Sequence, residues 1–223
     1  NELSWGANGI SLAKSVLQAP DDQPAKVALL KLLAERGKTL ETATDDDYRA
    51  LGLAVSEKYY STIRRVIKHY APDMLYLGDR NDKRNPETFI AASRFCDVVT
   101  VNVYDFQASV ELPAGAEDRP LWVTEFHFGC YDRGMFKPGL APVWNQAERA
   151  RSYTRFVEGC LAHPLIVGCH WFQYRDQPLL GRGDGEAYQI GFVDVCDRPY
   201  PELTRAARKL GTELYEKRVK GVW

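Results

Sequence analysis

Apolar positions along the chain fall into two kinds of run, and the two kinds alternate. Short runs rich in β-branched and aromatic residues lie at 73–80 (Asp73-Met74-Leu75-Tyr76-Leu77-Gly78-Asp79-Arg80), 97–104, 120–129 and 165–174. Runs of this length, bounded by turn residues, read as strands, and 97–104 is the most β-prone of them. Between them, apolar residues recur at helical spacing. Pro24 suits a first helical turn, followed by Val27, Leu29, Leu30, Leu32 and Leu33. Thr44-Asp45-Asp46-Asp47 is an N-cap cluster before a further helical stretch, and 59–70 carries Tyr60, Ile63, Val66, Ile67 and Tyr70 until Pro72 ends it. Helices are also expected at 86–96, at 145–161 and from Glu202 to about Val219. Strands alternating with helices indicate parallel βαβ units, hence an α/β fold.

The strand at 120–129 is the most informative. Pro120-Leu121-Trp122-Val123 reads as buried on both faces, and the run then meets Thr124-Glu125-Phe126-His127-Phe128-Gly129. An ionised carboxylate is costly to bury unless it is paired. A salt-bridged structural glutamate would explain Glu125. So would an active site, because (β/α)8 barrels build theirs at the C-terminal ends of the strands. Polar and aromatic residues close the neighbouring strands as well: Asn102 and Tyr104, then His170, Trp171, Gln173 and Asp176. The fold expected is therefore a (β/α)8 TIM barrel. Four strands are evident, with a further strand ending in Asn1-Glu2. The chain then supplies roughly the C-terminal half, from the end of the fourth strand to the eighth, as one catalytic domain over 1–223. The N-terminal half is expected upstream or from another chain.

Composition removes several alternatives. The net charge of −1 gives no electrostatic case for nucleic acid or an anionic membrane. No run is long enough to span a bilayer. The five cysteines (Cys96, Cys130, Cys160, Cys169, Cys196) lack C-x-x-C spacing, which argues against a zinc site or a disulfide framework. Gly181-Arg182-Gly183-Asp184-Gly185 lacks the spacing and helix start of a dinucleotide loop, and no cofactor is expected.

Glycosidic bonds are hydrolysed by two carboxyl groups, one protonating the leaving oxygen and the other attacking or activating water. Glu2 and Glu125 are the candidate pair. Asn-Glu at one strand end and Glu at a later one resembles the clan A glycoside hydrolases. That resemblance makes Glu2 the acid/base and Glu125 the nucleophile, with Asn1 available to the sugar 2-hydroxyl. Glu2 as a frayed terminal residue is the bland alternative.

Longer motifs sharpen the likeness. Glu125-Phe126-His127-Phe128-Gly129 with Asp132-Arg133-Gly134 and Pro138-Gly139-Leu140 resembles the nucleophile strand and loop of family-50 β-agarases. His170-Trp171-Phe172-Gln173-Tyr174, Asp176-Gln177, Gly181-Arg182, Asp184-Gly185-Glu186, Tyr188 and Ile190-Gly191-Phe192 resemble their last strand and its loop. The likeness runs from about Asp97 to the C-terminus and implies a retaining hydrolase of an agarose-type galactan.

By the same resemblance Tyr104 holds the nucleophile, although a tyrosine with a satisfied hydroxyl near a loop fits equally. Strand alternation puts His127 on the side of Glu125, in contact with substrate or tuning the carboxylate. Of His170 and Trp171 only one faces the barrel interior. Trp171 is favoured, as a sugar-stacking ring, over a core tryptophan. Asn102 and Gln173 complete the substrate-binding set, while Asp176 and Glu186 read as solvated loop acids. The expected partner is a poly- or oligosaccharide, and a polymer substrate implies a secreted or periplasmic parent. The competing readings are a non-catalytic carbohydrate-binding module or inactive barrel fragment, and a metal-dependent hydrolase using His127, His170 and Asp176.

Overall fold

The structure, a computed structural model, describes residues 9–82 and 85–223. Asn1 and Glu2, the first of the expected catalytic pair among them, lie outside the described residues. Contacts divide the chain into two compact units, Asn1–Thr100 with Glu111–Pro120, and Val101–Val110 with Leu121–Trp223.

The first unit is mainly helical: α1 (Gly9–Leu17), α2 (Pro24–Glu35), α3 (Asp45–Tyr70) and α4 (Pro86–Phe95), with the short strand β1 (Arg80–Asp82) and the start of β2 (Val99–Asn102) beside it. Its core gathers Ala13, Val16, Leu29, Leu33 and Leu51 from the first three helices. The side chain of Gln23 caps α2, accepting from the amides of Ala25 and Lys26 at 2.6 and 3.0 Å. At the start of α3, Asp47 is 1% exposed and accepts from the amide and hydroxyl of Thr44, while Arg36 and Lys38 pair with it at 2.6 Å.

Two expectations change here. The helical stretches read at 44–50 and 59–70 form one helix, because no breaker stronger than Gly52 separates them. The strand read at 73–80 forms later, at Arg80–Asp82. Gly78, at φ +71°, interrupts the extended chain, and the carboxylate of Asp97 takes the Tyr76 amide at 2.8 Å. Met74 and Leu75 are left exposed.

In the second unit the end of β2, then β3 (Leu121–Phe126) and β4 (Ile166–Trp171), are neighbours in chain order. β3 and β4 are parallel. They are connected through α5 (Gln146–Ala162), and α6 (Pro201–Lys220) packs on α5. Asn145 caps α5 by accepting from the Glu148 amide at 2.9 Å, and Gly221 ends α6 in the left-handed region. Sequential parallel strands with a helical crossover are the βαβ arrangement that the alternating pattern called for. No helix among the described residues is long and apolar enough to cross a membrane.

Candidate active site

The register between β3 and β4 fixes the site. Val123 stands opposite Cys169 and Phe126 opposite Trp171, so β3 carries one residue more than β4 across this interval. Such a bulge shifts the phase in which side chains alternate. Val123 and Phe126 are both buried, and Phe126 stacks on Phe156 of α5 at 4.3 Å. Thr124 and Glu125, between them, both reach the side chain of Asn102 at the end of β2. Asn102 Nδ2 donates to Glu125 Oε2 at 3.0 Å, and Asn102 Oδ1 accepts from Thr124 Oγ1 at 2.9 Å. The Tyr104 hydroxyl donates to the same Glu125 Oε2 at 2.5 Å. Glu125 is 5% exposed at the C-terminal end of its strand, its charge stabilised by neutral donors from β2 and the segment after it.

His127 lies against this group. Its ring centroid is 4.6 Å from that of Tyr104, and it is 1% exposed. Leu140 N–H donates to Nε2 at 2.8 Å, which makes Nε2 an acceptor, so Nδ1 carries the proton and donates to the Phe172 carbonyl at 3.1 Å. Both ring nitrogens are thus engaged by backbone, and burial holds the imidazole at about 3, far below its ordinary value of 6.5. The ring is a neutral strut joining the end of β3, the loop at 138–140 and the end of β4. The backbone is cut to fit it. Gly139 sits at φ +84°, where a Cβ would stand 2.6 Å from His127 Nε2. At Gly129 a Cβ would meet the Pro138 carbonyl oxygen at 1.8 Å.

Trp171 requires a correction. Its ring packs against Phe126 (5.2 Å), Tyr153 of α5 (5.6 Å) and Phe192 (5.5 Å), with the Arg149 guanidinium 5.5 Å from its centroid. Its indole N–H donates to the Ile190 carbonyl at 2.7 Å. The ring therefore lies half-buried on the helix side of the sheet, against α5. His170 takes the opposite face, edge-on to Trp122 at 4.8 Å. The extra residues in the strands set these faces, and alternation alone does not reveal them. Gln173 follows the cis Phe172–Gln173 peptide and donates from Nε2 to the Arg175 carbonyl at 2.9 Å.

Asp176 is a second correction. It is 3% exposed and accepts from the Gly191 amide at 2.7 Å and the Tyr200 hydroxyl at 2.5 Å; burial raises its pKa. Glu186 is tied to Gln177 at 2.6 Å and to Arg182 at 3.3 Å. Sequence reading missed the residues that frame the site. Arg149 of α5, fully buried, donates to the carbonyls of Phe128 and Gly191, both at 2.7 Å, and to Gln146 Oε1 at 3.2 Å. Its stack on Tyr200 at 5.2 Å completes the clamp. An arginine on an amphipathic helix looks like any surface charge. The available sign was its place one turn into α5, the helix that follows the loop after β3. Among the described residues no cluster of three or more His, Cys, Asp or Glu side chains has the geometry of a metal site.

A parallel α/β sheet that presents a buried carboxylate, held by an amide and a phenol, at the ends of its strands defines the class of site. Comparison with known proteins narrows it. No protein-family profile matches the chain. It is 33% identical over 259 aligned residues to Beta-agarase B of Vibrio sp. (strain JT0107), an alignment covering 99% of this chain and 27% of that protein. Among solved structures it is similar to the agarase AgWH50C, with a TM-score of 0.85 at 30% identity, covering 98% of this chain and 36% of the other. It is similar also to an exo-beta-agarase, with a TM-score of 0.81 at 33% identity, covering 91% and 32%. The chain thus spans about a quarter to a third of the length of these proteins. It resembles the family-50 β-agarases.

Proposed function

We propose that the protein carrying this chain is a retaining glycoside hydrolase that cleaves β-linkages in an agarose-type galactan. The observation that carries the reading is the buried carboxylate of Glu125 at a strand end, with Asn102 Nδ2 and the Tyr104 hydroxyl converging on Oε2. The names of the similar proteins supply the substrate class.

In this reading Glu125 attacks the anomeric carbon while Glu2, retained from the sequence as the acid/base, protonates the departing glycosidic oxygen. Water, giving its proton to Glu2, then displaces Glu125 from the glycosyl ester and releases the sugar. Asn102 and Tyr104 hold the nucleophile. Asn1 and Gln173 remain candidates for sugar hydroxyls, and His127 acts through Tyr104 and the 138–140 loop. The sequential parallel strands, with the carboxylate at their C-terminal ends, support a place for them in the C-terminal half of a (β/α)8 barrel. A polymeric substrate fits a secreted or periplasmic protein.

The test is reducing-sugar release from agarose by the full-length protein, beside Glu125→Gln and Glu2→Gln. Each substitution keeps shape and removes the ionisable group. Loss of turnover in both, with the fold retained, supports the pair. Cleavage of a different β-galactan would keep the mechanism and replace the substrate. Sugar binding with no cleavage of any glycan by the unaltered protein would put a non-catalytic carbohydrate-binding role in its place.

A further inference from the structure

We infer that Thr124 is a positioning residue for the nucleophile, acting through Asn102: its hydroxyl fixes which end of the Asn102 amide faces Glu125. The inference rests on the hydrolase reading above and extends it to a residue that touches neither the carboxylate nor, in that reading, the substrate.

An asparagine amide presents an acceptor and a donor that differ by a half-turn about one bond. Beside a carboxylate only the NH2 end is productive, and the reversed amide would set oxygen against oxygen. Here the carboxylate takes Nδ2 at 3.0 Å and the Thr124 hydroxyl donates to Oδ1 at 2.9 Å. The second bond rewards the same orientation as the first and penalises the half-turn. It also keeps the amide oriented when Glu125 is drawn into a bond with the sugar and its hold on Nδ2 weakens. Consecutive strand residues ordinarily point to opposite faces. Thr124 and Glu125 reach one side chain because β3 gains a residue between Val123 and Phe126. A bulge at this place re-aims both residues toward Asn102.

Thr124→Val keeps the branched shape and removes the hydroxyl, and Thr124→Ser keeps the hydroxyl and removes the methyl. In the full-length protein Thr124→Val is expected to lower kcat by about tenfold, the scale of one hydrogen bond, with KM changed by less than about twofold. Thr124→Ser is expected to recover most of that loss. Val and Ser variants that lose kcat alike would mean packing, and a Val variant with unaltered kcat would mean no role; either overturns the inference. A second measurement is independent of turnover. The Asn102 side-chain NH2 resonances, assigned by loss in Asn102→Asp, are expected to include one proton shifted downfield by its bond to Glu125, a shift that averages toward the free-amide value in Thr124→Val and persists in Thr124→Ser. An unchanged shift in Thr124→Val overturns the relay whether or not the protein cleaves a galactan. A lost downfield shift in a protein that cleaves none would keep the relay and remove the hydrolase reading.

Discussion

His127 is the residue at which burial, hydrogen bonding and pH meet. Its folded-state value of about 3 lies below the 6.5 of an exposed imidazole. Between those values an unfolded chain binds a proton that the folded chain refuses. Stability therefore falls as pH drops from about 6.5 toward 3, by at most about 1.4 kcal/mol per pH unit from this group. His127→Gln keeps a donor and an acceptor without titrating. Urea midpoints of the two proteins are expected to diverge least near pH 5 and most above pH 6.5, since only the unaltered protein loses this contribution on acidification. Asp176, raised by burial, works in the opposite direction, but it is common to both proteins and cancels in the difference. Parallel pH profiles would refute the neutral strut. Gly139 makes the complementary case. Gly139→Ala meets both a left-handed backbone and the His127 ring, so a loss of about 1–3 kcal/mol is expected in the same melts, with the proposed hydrolysis reduced through the displaced loop.

At the scale of the element, the ends of α5 and β3 were legible because their signals are chemical and local. The helix expected at 145–161 matches α5 to within a residue, with Asn145 as its cap, and a carboxylate closing an apolar run marks a candidate site. The faces of the strands were not legible. Period-2 alternation assigns them only while the ladder stays in register, and an extra residue in β3 between Val123 and Phe126 breaks it. β4 has an irregularity of its own, between Ile166 and Gly168 ahead of Trp171, whose ring lies against α5 rather than in the expected stacking place. Glu125, Asn102, Tyr104 and His127 came together because they follow strand ends, where order in sequence becomes proximity in space. Arg149 escaped notice because a buried arginine is recognised by its acceptors, the Phe128 and Gly191 carbonyls, and these become its neighbours only on folding. Arg149→Met leaves both carbonyls without that donor. It also removes the cation near Asp176, so destabilisation of about 3 kcal/mol or more is expected in urea unfolding. Arg149→Lys keeps the charge without the three-way fork and is expected to fall between.

At the scale of the whole molecule, helix-strand alternation was enough to predict a parallel α/β sheet, and composition was enough to predict an ordinary well-packed core. The division into two compact units was not legible, because its boundary passes through β2, in a run that reads as one uninterrupted strand. The division separates two kinds of consequence. Leu51 of α3 is 1% exposed in the helical core of the first unit, among Ala13, Val16, Leu29 and Leu33. Leu51→Ala opens a cavity there, at a cost of about 2–5 kcal/mol that depends on how far the helices collapse into it. Each described residue that engages Glu125 belongs to the second unit. Leu51→Ala is therefore expected to lower the unfolding midpoint strongly while leaving kcat of the folded fraction unchanged at a temperature well below the transition. Thr124→Val is expected to do the reverse, lowering kcat at a nearly constant midpoint. Measured together in the full-length protein, the two variants distinguish a carboxylate oriented by its own neighbours from one that depends on the general firmness of the fold. A kcat that fell in proportion to stability in both variants would favour the second.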